Sequence, residues 1–313
     1  MRRSLVPFVL AALLGLGPSP GCSDDDGGSN NNTSEHLSPD FLSEHGGAPD
    51  YTCVGEPDPA NSFGVETEIS GIVEDFEEGW EVGGVIVHVF ASLQDLLDDS
   101  PFDSSAPSSP TGEYTVSVPS GVSRFHFKMQ IATGTDYYDT IEMNEPIAGL
   151  APSAPTTTGK DRLIVSAVTM ETVPAILGIA RLAGTGIIAG KVYDCNRMEV
   201  EYAAQRAYDS GPENPNRTLI SVYEGASRNS FYFGNGMPVR NRMFTDVNGQ
   251  FIIANVPYSQ GNFLTMEMWG RLQGAWLPTG HDDCTEGCLI SIQDIPVMPD
   301  TIIVTDMNPL YAN

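Results

Sequence analysis

One short motif occurs twice in this chain, and it narrows the possible folds more than any other feature. Ile69-Ser70-Gly71-Ile72-Val73-Glu74-Asp75 returns as Ile188-Ala189-Gly190-Lys191-Val192-Tyr193-Asp194, and each copy reads as the first strand of a domain. A second pairing follows each of them. Thr111-Gly112-Glu113-Tyr114-Thr115-Val116-Ser117-Val118-Pro119 matches the longer stretch Thr245-Asp246-Val247-Asn248-Gly249-Gln250-Phe251-Ile252-Ile253-Ala254-Asn255-Val256-Pro257. In both, a turn glycine feeds an apolar strand that a proline stops, because proline cannot donate to a ladder. Asp246-Val247-Asn248-Gly249 is the composition of a tight turn; as a calcium loop it lacks the later ligands and closing glutamate.

The next strands also correspond. Arg124 to Ile131 alternates strictly, with Phe125, Phe127, Met129 and Ile131 on one face, and Phe263 to Trp269 sets Leu264, Met266 and Met268 on one side. Arg162–Val168 and Thr301–Thr305 read as closing strands. Between the copies, Thr172 to Leu182 has a cap, a proline in its first turn and apolar residues at helical spacing, which predicts a short helix stopped near Gly184. The fold class expected is all-β: two tandem antiparallel β-sandwiches at 66–169 and 185–313, joined by a helical linker at 170–184. The second carries an insertion at about 206–241.

Composition agrees, since Gly 32 and Pro 23 suit many short strands joined by turns. With 15 basic against 41 acidic residues the formal charge is -26, which repels phosphate backbones and makes nucleic acid a poor partner.

The start of the chain points to export. Met1-Arg2-Arg3 before the apolar run Leu5–Leu16 has the pattern of a secretory signal, here 1–21, too short for a membrane span. Cys22 after Ser19-Pro20-Gly21 resembles a bacterial lipoprotein signal, which implies that Cys22 is acylated and that the partner at this end is a membrane. Residues 22–65, rich in Asp, Gly, Ser and Asn, read as a disordered acidic and polar tether. Acylation would leave an even set of cysteines, Cys53, Cys195, Cys284 and Cys288, for disulfides. Cys284 and Cys288 can close across a turn, leaving Cys53 for Cys195, although other connectivities are open. Zinc would need more thiols or histidines than nearby His281 supplies, so no metal and no cofactor are expected.

Gly-x-Val-x-Asp at the first strand and Thr-Asp-x-Asn-Gly-x-Phe-x-x-x-Asn-Val-Pro at the later one resemble the carboxypeptidase regulatory-like domain. That family is a transthyretin-like, immunoglobulin-type sandwich without catalytic activity of its own. The resemblance covers roughly Glu66 to Val168 and, more fully, Gly186 to Thr305. It implies a non-catalytic envelope module for binding or structure.

Candidates for chemistry are sparse. No His-Glu-x-x-His, Gly-x-Ser-x-Gly or phosphate-binding glycine loop occurs. His88 and His126 lie in strands, where satisfied or solvated histidines are the ordinary case. Asp95, Asp98, Asp99 and Asp103 gather carboxylates in one loop, offering a calcium-dependent adhesion reading against that of a solvated acidic loop. In the insertion, Tyr223, Phe231, Tyr232 and Phe233 lie among Asn, Gly, Ser and Arg and offer stacking faces for a carbohydrate or protein ligand. The competing reading makes Ser230–Phe233 a strand with alternating burial. An accessory or processing enzyme with scattered catalytic groups is the remaining alternative.

Overall fold

In a computed structural model, the described residues are 49–56, 64–146, 156–223, 225, 227–234, 236–258, 263–270 and 288–309. The first half holds β1 (Thr67–Asp75), β2 (Val85–Phe90), helix α1 (Leu93–Leu97), β3 (Asp103–Ser104), β4 (Glu113–Val118) and β5 (Arg124–Ile131). It continues with β6 (Tyr137–Tyr138), β7 (Thr140–Pro146), β8 (Thr156–Thr157), β9 (Arg162–Ser166) and helix α2 (Ala167–Ile176). The second half holds β10 (Thr185–Val192), β11 (Ala204–Tyr208), β12 (Ser230–Gly234), β13 (Met237–Val239), β14 (Gln250–Pro257), β15 (Phe263–Gly270), β16 (Cys288–Pro296) and β17 (Ile302–Met307).

The repeated motif folds the same way both times. β1 pairs antiparallel with β4 and parallel with β9, and β10 pairs antiparallel with β14 and parallel with β17. Gly71 faces Tyr114 in the first half as Gly190 faces Phe251 in the second. Val73 N–H donates to Gly112 O at 2.8 Å and Val192 N–H to Gly249 O at 2.9 Å. The two aspartates are equivalent caps: Asp75 Oδ1 accepts from Glu77 and Glu78 N–H, and Asp194 Oδ1 from Asn196 and Met198 N–H. Of the turn residues Asp246 to Gly249, only Gly249 is left-handed, at φ 62°. A Cβ there would lie 2.7 Å from Val192 O, so the glycine serves both conformation and close approach. Asn255 at φ 52° marks the bulge in the β10–β14 register, and its Oδ1 accepts from Leu182 N–H.

The halves do not form separate sandwiches with separate sheets. Nine strands make one sheet in the order β13-β12-β14-β10-β17-β7-β5-β2-β3, beside a five-stranded sheet β4-β1-β9-β6 with β8 on β1 and a three-stranded sheet β11-β15-β16. The seam is parallel pairing of β17 with β7, from Ile302 opposite Thr140 to Thr305 opposite Met143. Consequently both faces of β5 are covered. Phe125, Phe127 and Met129 pack with Ile69, Val73, Val85, Val87 and Val116, while Phe90, Leu96, Ile141 and Met143 share a second core with Ile188, Phe251, Met266, Met268 and Ile303.

His126, read as a satisfied or solvated strand residue, is therefore the satisfied kind, 4% exposed. Its Nδ1 accepts from Asn144 N–H at 3.4 Å, and burial lowers its pKa to about 4 against the opposing pull of Asp95. An unfolded chain takes up that proton as the pH falls below the ordinary 6.5, while the folded ring resists it down to about 4. Stability should therefore fall across that window by up to about 3 kcal/mol. Urea denaturation at pH 7 and pH 4.5 checks this; in His126→Gln the difference should shrink, and equal pH dependence in parent and variant would contradict it.

Two expected boundaries are corrected. The helix begins at Ala167, not near Thr172, because Ser166 already accepts from Thr169 N–H and ends β9 two residues early. It stops at Leu177, with Gly178 left-handed at φ 70°, and Pro174 lies buried in its body, not in its first turn. The tether is not wholly without structure either. Residues 49–56 dock on the second half, with Tyr51 fully buried and Cys53 disulfide-bonded to Cys195, their Cα atoms 5.9 Å apart. The polar composition of 22–65 as a whole conceals the local Tyr51-Thr52-Cys53-Val54. Cys288 is also disulfide-bonded, while Cys22 and Cys284 lie outside the described residues.

Candidate functional site

The aromatics of the insertion are core residues. Tyr223 is 8% exposed, Phe231 and Tyr232 0%, and Phe233 6%, so none offers a stacking face to a ligand. Ser230–Gly234 is β12, paired between β13 and β14, and both its faces are covered. Phe231 and Phe233 pack beneath α2 with Met170, Leu177, Ile187 and Ile252, whereas Tyr223 and Tyr232 enter the core between the sheets. The Tyr232 hydroxyl accepts from Gln205 N–H at 2.8 Å. Burial raises the pKa of Tyr223 and holds that of Tyr232 well above the usual tyrosine range. The strand reading holds but its alternating burial does not, because Ser230 to Phe233 are all buried, α2 covering the side that sequence would leave in water.

The acidic loop disperses its carboxylates. Asp95 shares the α1 cap with Ser92, Asp98 closes the same helix, Asp99 pairs with Lys128, and Asp103 accepts from Ser117 N–H at 2.7 Å. Among the described residues, no group of three or more His, Cys, Asp or Glu side chains is placed to hold a metal ion. His88 Nδ1 lies 2.8 Å from Ser104 Oγ, in strand β2.

A concave feature lies elsewhere, on the outer face of the three-stranded sheet. The loop after β11 stands over β15 and β16 and leaves a depression of about 610 Å³, with Phe263, Thr265 and Ile292 on its floor and Asp209, Glu213 and Asp294 around it. Pairing fixes this placement, since Thr265 faces Asp294 and Glu267 faces Ile292 across the two strands. Asp209 is held below the usual carboxylate range by Thr218 N–H and the Ser210 hydroxyl, and Thr265 donates to Asp294 at 2.7 Å. Neighbouring cations are engaged outside the depression. Arg217 pairs with the buried Glu267 and stacks on Tyr208, 3.8 Å from the ring centroid, and Arg206 stacks on Trp269 at 5.0 Å. Trp269 Nε1–H also donates to Glu267 at 2.8 Å.

The depression has a mostly polar lining rich in acceptors, with Phe263 and Ile292 as its apolar part, and suits a polar or cationic group. Sequence reasoning passed over it because Asp209-Ser210-Gly211-Pro212-Glu213 reads only as turn composition. The available signal was the alternation of Phe263, Thr265 and Glu267 against the apolar Leu264, Met266 and Met268.

No family model matches the chain, and no curated protein matches it. Among solved structures it is similar to a Streptococcal ancillary pilin, at 12% identity and TM-score 0.21 over 79% of this chain and 63% of that one. The match thus spans less than two thirds of that pilin. The shaft pilin spaA from Lactobacillus rhamnosus GG matches at 11% identity and TM-score 0.21, over 78% of this chain and 97% of that one. The major pilin subunit of Bacillus cereus matches at 8% identity and TM-score 0.21, over 76% and 69%. Overlap at this level carries no argument about function. Among the described residues, no helix is long and apolar enough to cross a membrane.

Proposed function

We propose that this protein is an exported, non-catalytic structural component of a bacterial cell envelope, anchored by a lipid on Cys22. Its body consists of two carboxypeptidase regulatory-like modules acting as one rigid unit. The observation that carries the reading is the seam: β17 lies between β10 and β7, so strands of both halves share one nine-stranded sheet, and residues of both halves share a core. A hinged pair of binding domains would keep a small polar interface between them, whereas continuous strand pairing over an apolar core opposes relative motion. Filled cores beneath the aromatics of the insertion support the same view.

The test is fractionation of bacteria expressing the full chain with its own leader. Membrane association lost in Cys22→Ser, together with a single unfolding transition seen by probes in both halves, is the expected result. A Cys22→Ser chain that remains on the membrane would remove the anchor, and two separate transitions would remove the rigid unit.

The acidic depression favours recognition as a second reading. An array of envelope glycans and lysine-bearing peptides, read beside Asp209→Asn/Glu213→Gln/Asp294→Asn, decides it, because ligands held there should be lost in the variant. Calcium-dependent adhesion predicts a lower melting temperature with chelator, and an unchanged value would end that reading.

A further inference from the structure

We propose that residues 49–56 form a redox-controlled strap that closes over the joint of the two halves only when Cys53 and Cys195 are oxidised to each other. The strap is held at one place. Asp50 N–H donates to Asp194 Oδ2 at 3.0 Å, Cys195 N–H to Asp50 O at 2.8 Å, and the Tyr51 hydroxyl to Tyr193 O at 3.2 Å. All three partners follow directly on β10. Tyr51 itself enters the core containing Phe90, Ile141 and Met143 from the first half and Ile188, Phe251 and Met307 from the second. Its closure thus completes a core to which both halves contribute.

Little else holds the segment. Its other backbone bonds run from Val54 N–H to Tyr51 O, Glu56 N–H to Cys53 O, Thr52 N–H to Asp50 Oδ1 and, at the disulfide itself, Cys53 N–H to Cys195 Sγ; Asn196 Nδ2 adds a bond to Asp50 Oδ2, and Thr52 and Glu56 are exposed. One buried tyrosine, the partly buried Val54 and a few hydrogen bonds must offset the entropy of ordering eight residues. The disulfide changes that balance by keeping the segment beside its site when it opens. The bond spans 142 positions, so the reduced ends have no short-range reason to stay together.

The closing reaction balances with an external disulfide, for instance oxidised glutathione. One cysteine thiolate attacks it, releases one glutathione thiol and leaves a mixed disulfide. The second thiolate displaces the other glutathione, so two protons and two electrons leave the protein pair. The chemistry is independent of location, but its timing, after export from a reducing compartment, rests on the function proposed above.

Hydrogen exchange on the full chain tests the strap without reference to membranes. In the oxidised protein, the amides of Asp50 and Cys195 should be protected. In Cys53→Ser/Cys195→Ser they should exchange at least about a hundredfold faster, while those of Phe125 to Met129 stay slow. If the variant cannot be purified, the natural chain shortly after addition of reduced glutathione gives the same comparison, and oxidised glutathione should restore protection. Retained protection of the strap without the disulfide would overturn the proposal. Loss of protection in Phe125 to Met129 at the same time would also overturn it, since the bond would then staple the whole fold.

Discussion

Gly190→Ala should destabilise the protein by more than about 4 kcal/mol, the range reserved for changes that force buried backbone apart. A Cβ at this position would lie 1.7 Å from Thr305 O, 2.8 Å from Thr305 C and 3.2 Å from the Phe251 ring. Thr305 is the residue opposite Gly190 in the parallel β10–β17 pair, and Phe251 is opposite it in β14. The methyl group can therefore be accommodated only by moving the strand that joins the halves. The equivalent Gly71→Ala offers a graded comparison. Its Cβ would meet Lys160 O at 2.3 Å, but Lys160 lies in the segment before β9, outside any strand, held by its N–H on Ser70 O and by the Tyr114 hydroxyl on its carbonyl and not by a strand ladder. Thermal melts should show Gly190→Ala lowered by roughly 10 °C or more and Gly71→Ala by less. A Gly190→Ala protein melting within about 2 °C of the parent would show that the close approach is not needed.

Glu142→Ala should cost about 3–5 kcal/mol, because it leaves a buried guanidinium without its hydrogen-bonded carboxylate, with Glu145 as the remaining nearby anion. Glu142 on β7 and Arg162 on β9 link the nine-stranded and five-stranded sheets, with Nη1 to Oε2 at 2.8 Å and side-chain exposures of 7% and 6%. The second carboxylate oxygen accepts from Leu163 N–H at 3.0 Å, and the guanidinium lies 3.7 Å from the centroid of Phe127. Burial raises the Glu142 pKa above the usual carboxylate range even though Arg162 pulls it down. Because desolvation offsets most of the attraction, Glu142→Leu/Arg162→Met should approach the parent's stability and far exceed the single variant. Denaturant titration of the three proteins checks this, and a Glu142→Ala loss below about 1 kcal/mol would show that water reaches the arginine.

The two predictions concern features of unequal legibility. Gly71 and Gly190 stand out in sequence as matched positions of a repeat, and the strands about them, the turn glycines Gly112 and Gly249, and the alternation of Phe125, Phe127 and Met129 were all readable. Each depends on residues close in the chain: a turn needs a left-handed residue, and a strand shows its faces at every second position. Glu142 carries no such signal. Its partner lies in a different sheet, and a glutamate in a strand reads as an outward, solvated residue.

The same distinction explains the misplaced site. Phe231 and Tyr232 were readable as a strand, but whether their faces met solvent depended on α2 and on the opposing sheet. Whether His126 was satisfied in a core or solvated was open in the sequence, because a sandwich standing alone leaves one face of its strand in water. The depression at Asp209, Glu213 and Asp294 forms only when a loop after β11 returns over β15 and β16, two strands distant in sequence from it.

By itself the sequence determined the all-β class, the repeated strand-turn-strand unit and the positions that admit only glycine, since these follow from local conformational preference and periodic burial. Tertiary structure decided that β17 pairs with β7, that residues of both halves share a core and that Tyr51 belongs to it. Strand edges and apolar faces are alike in sequence whether they meet water, a neighbouring module or a docked segment. Only the assembled pairing determines which backbone groups and side chains are removed from water.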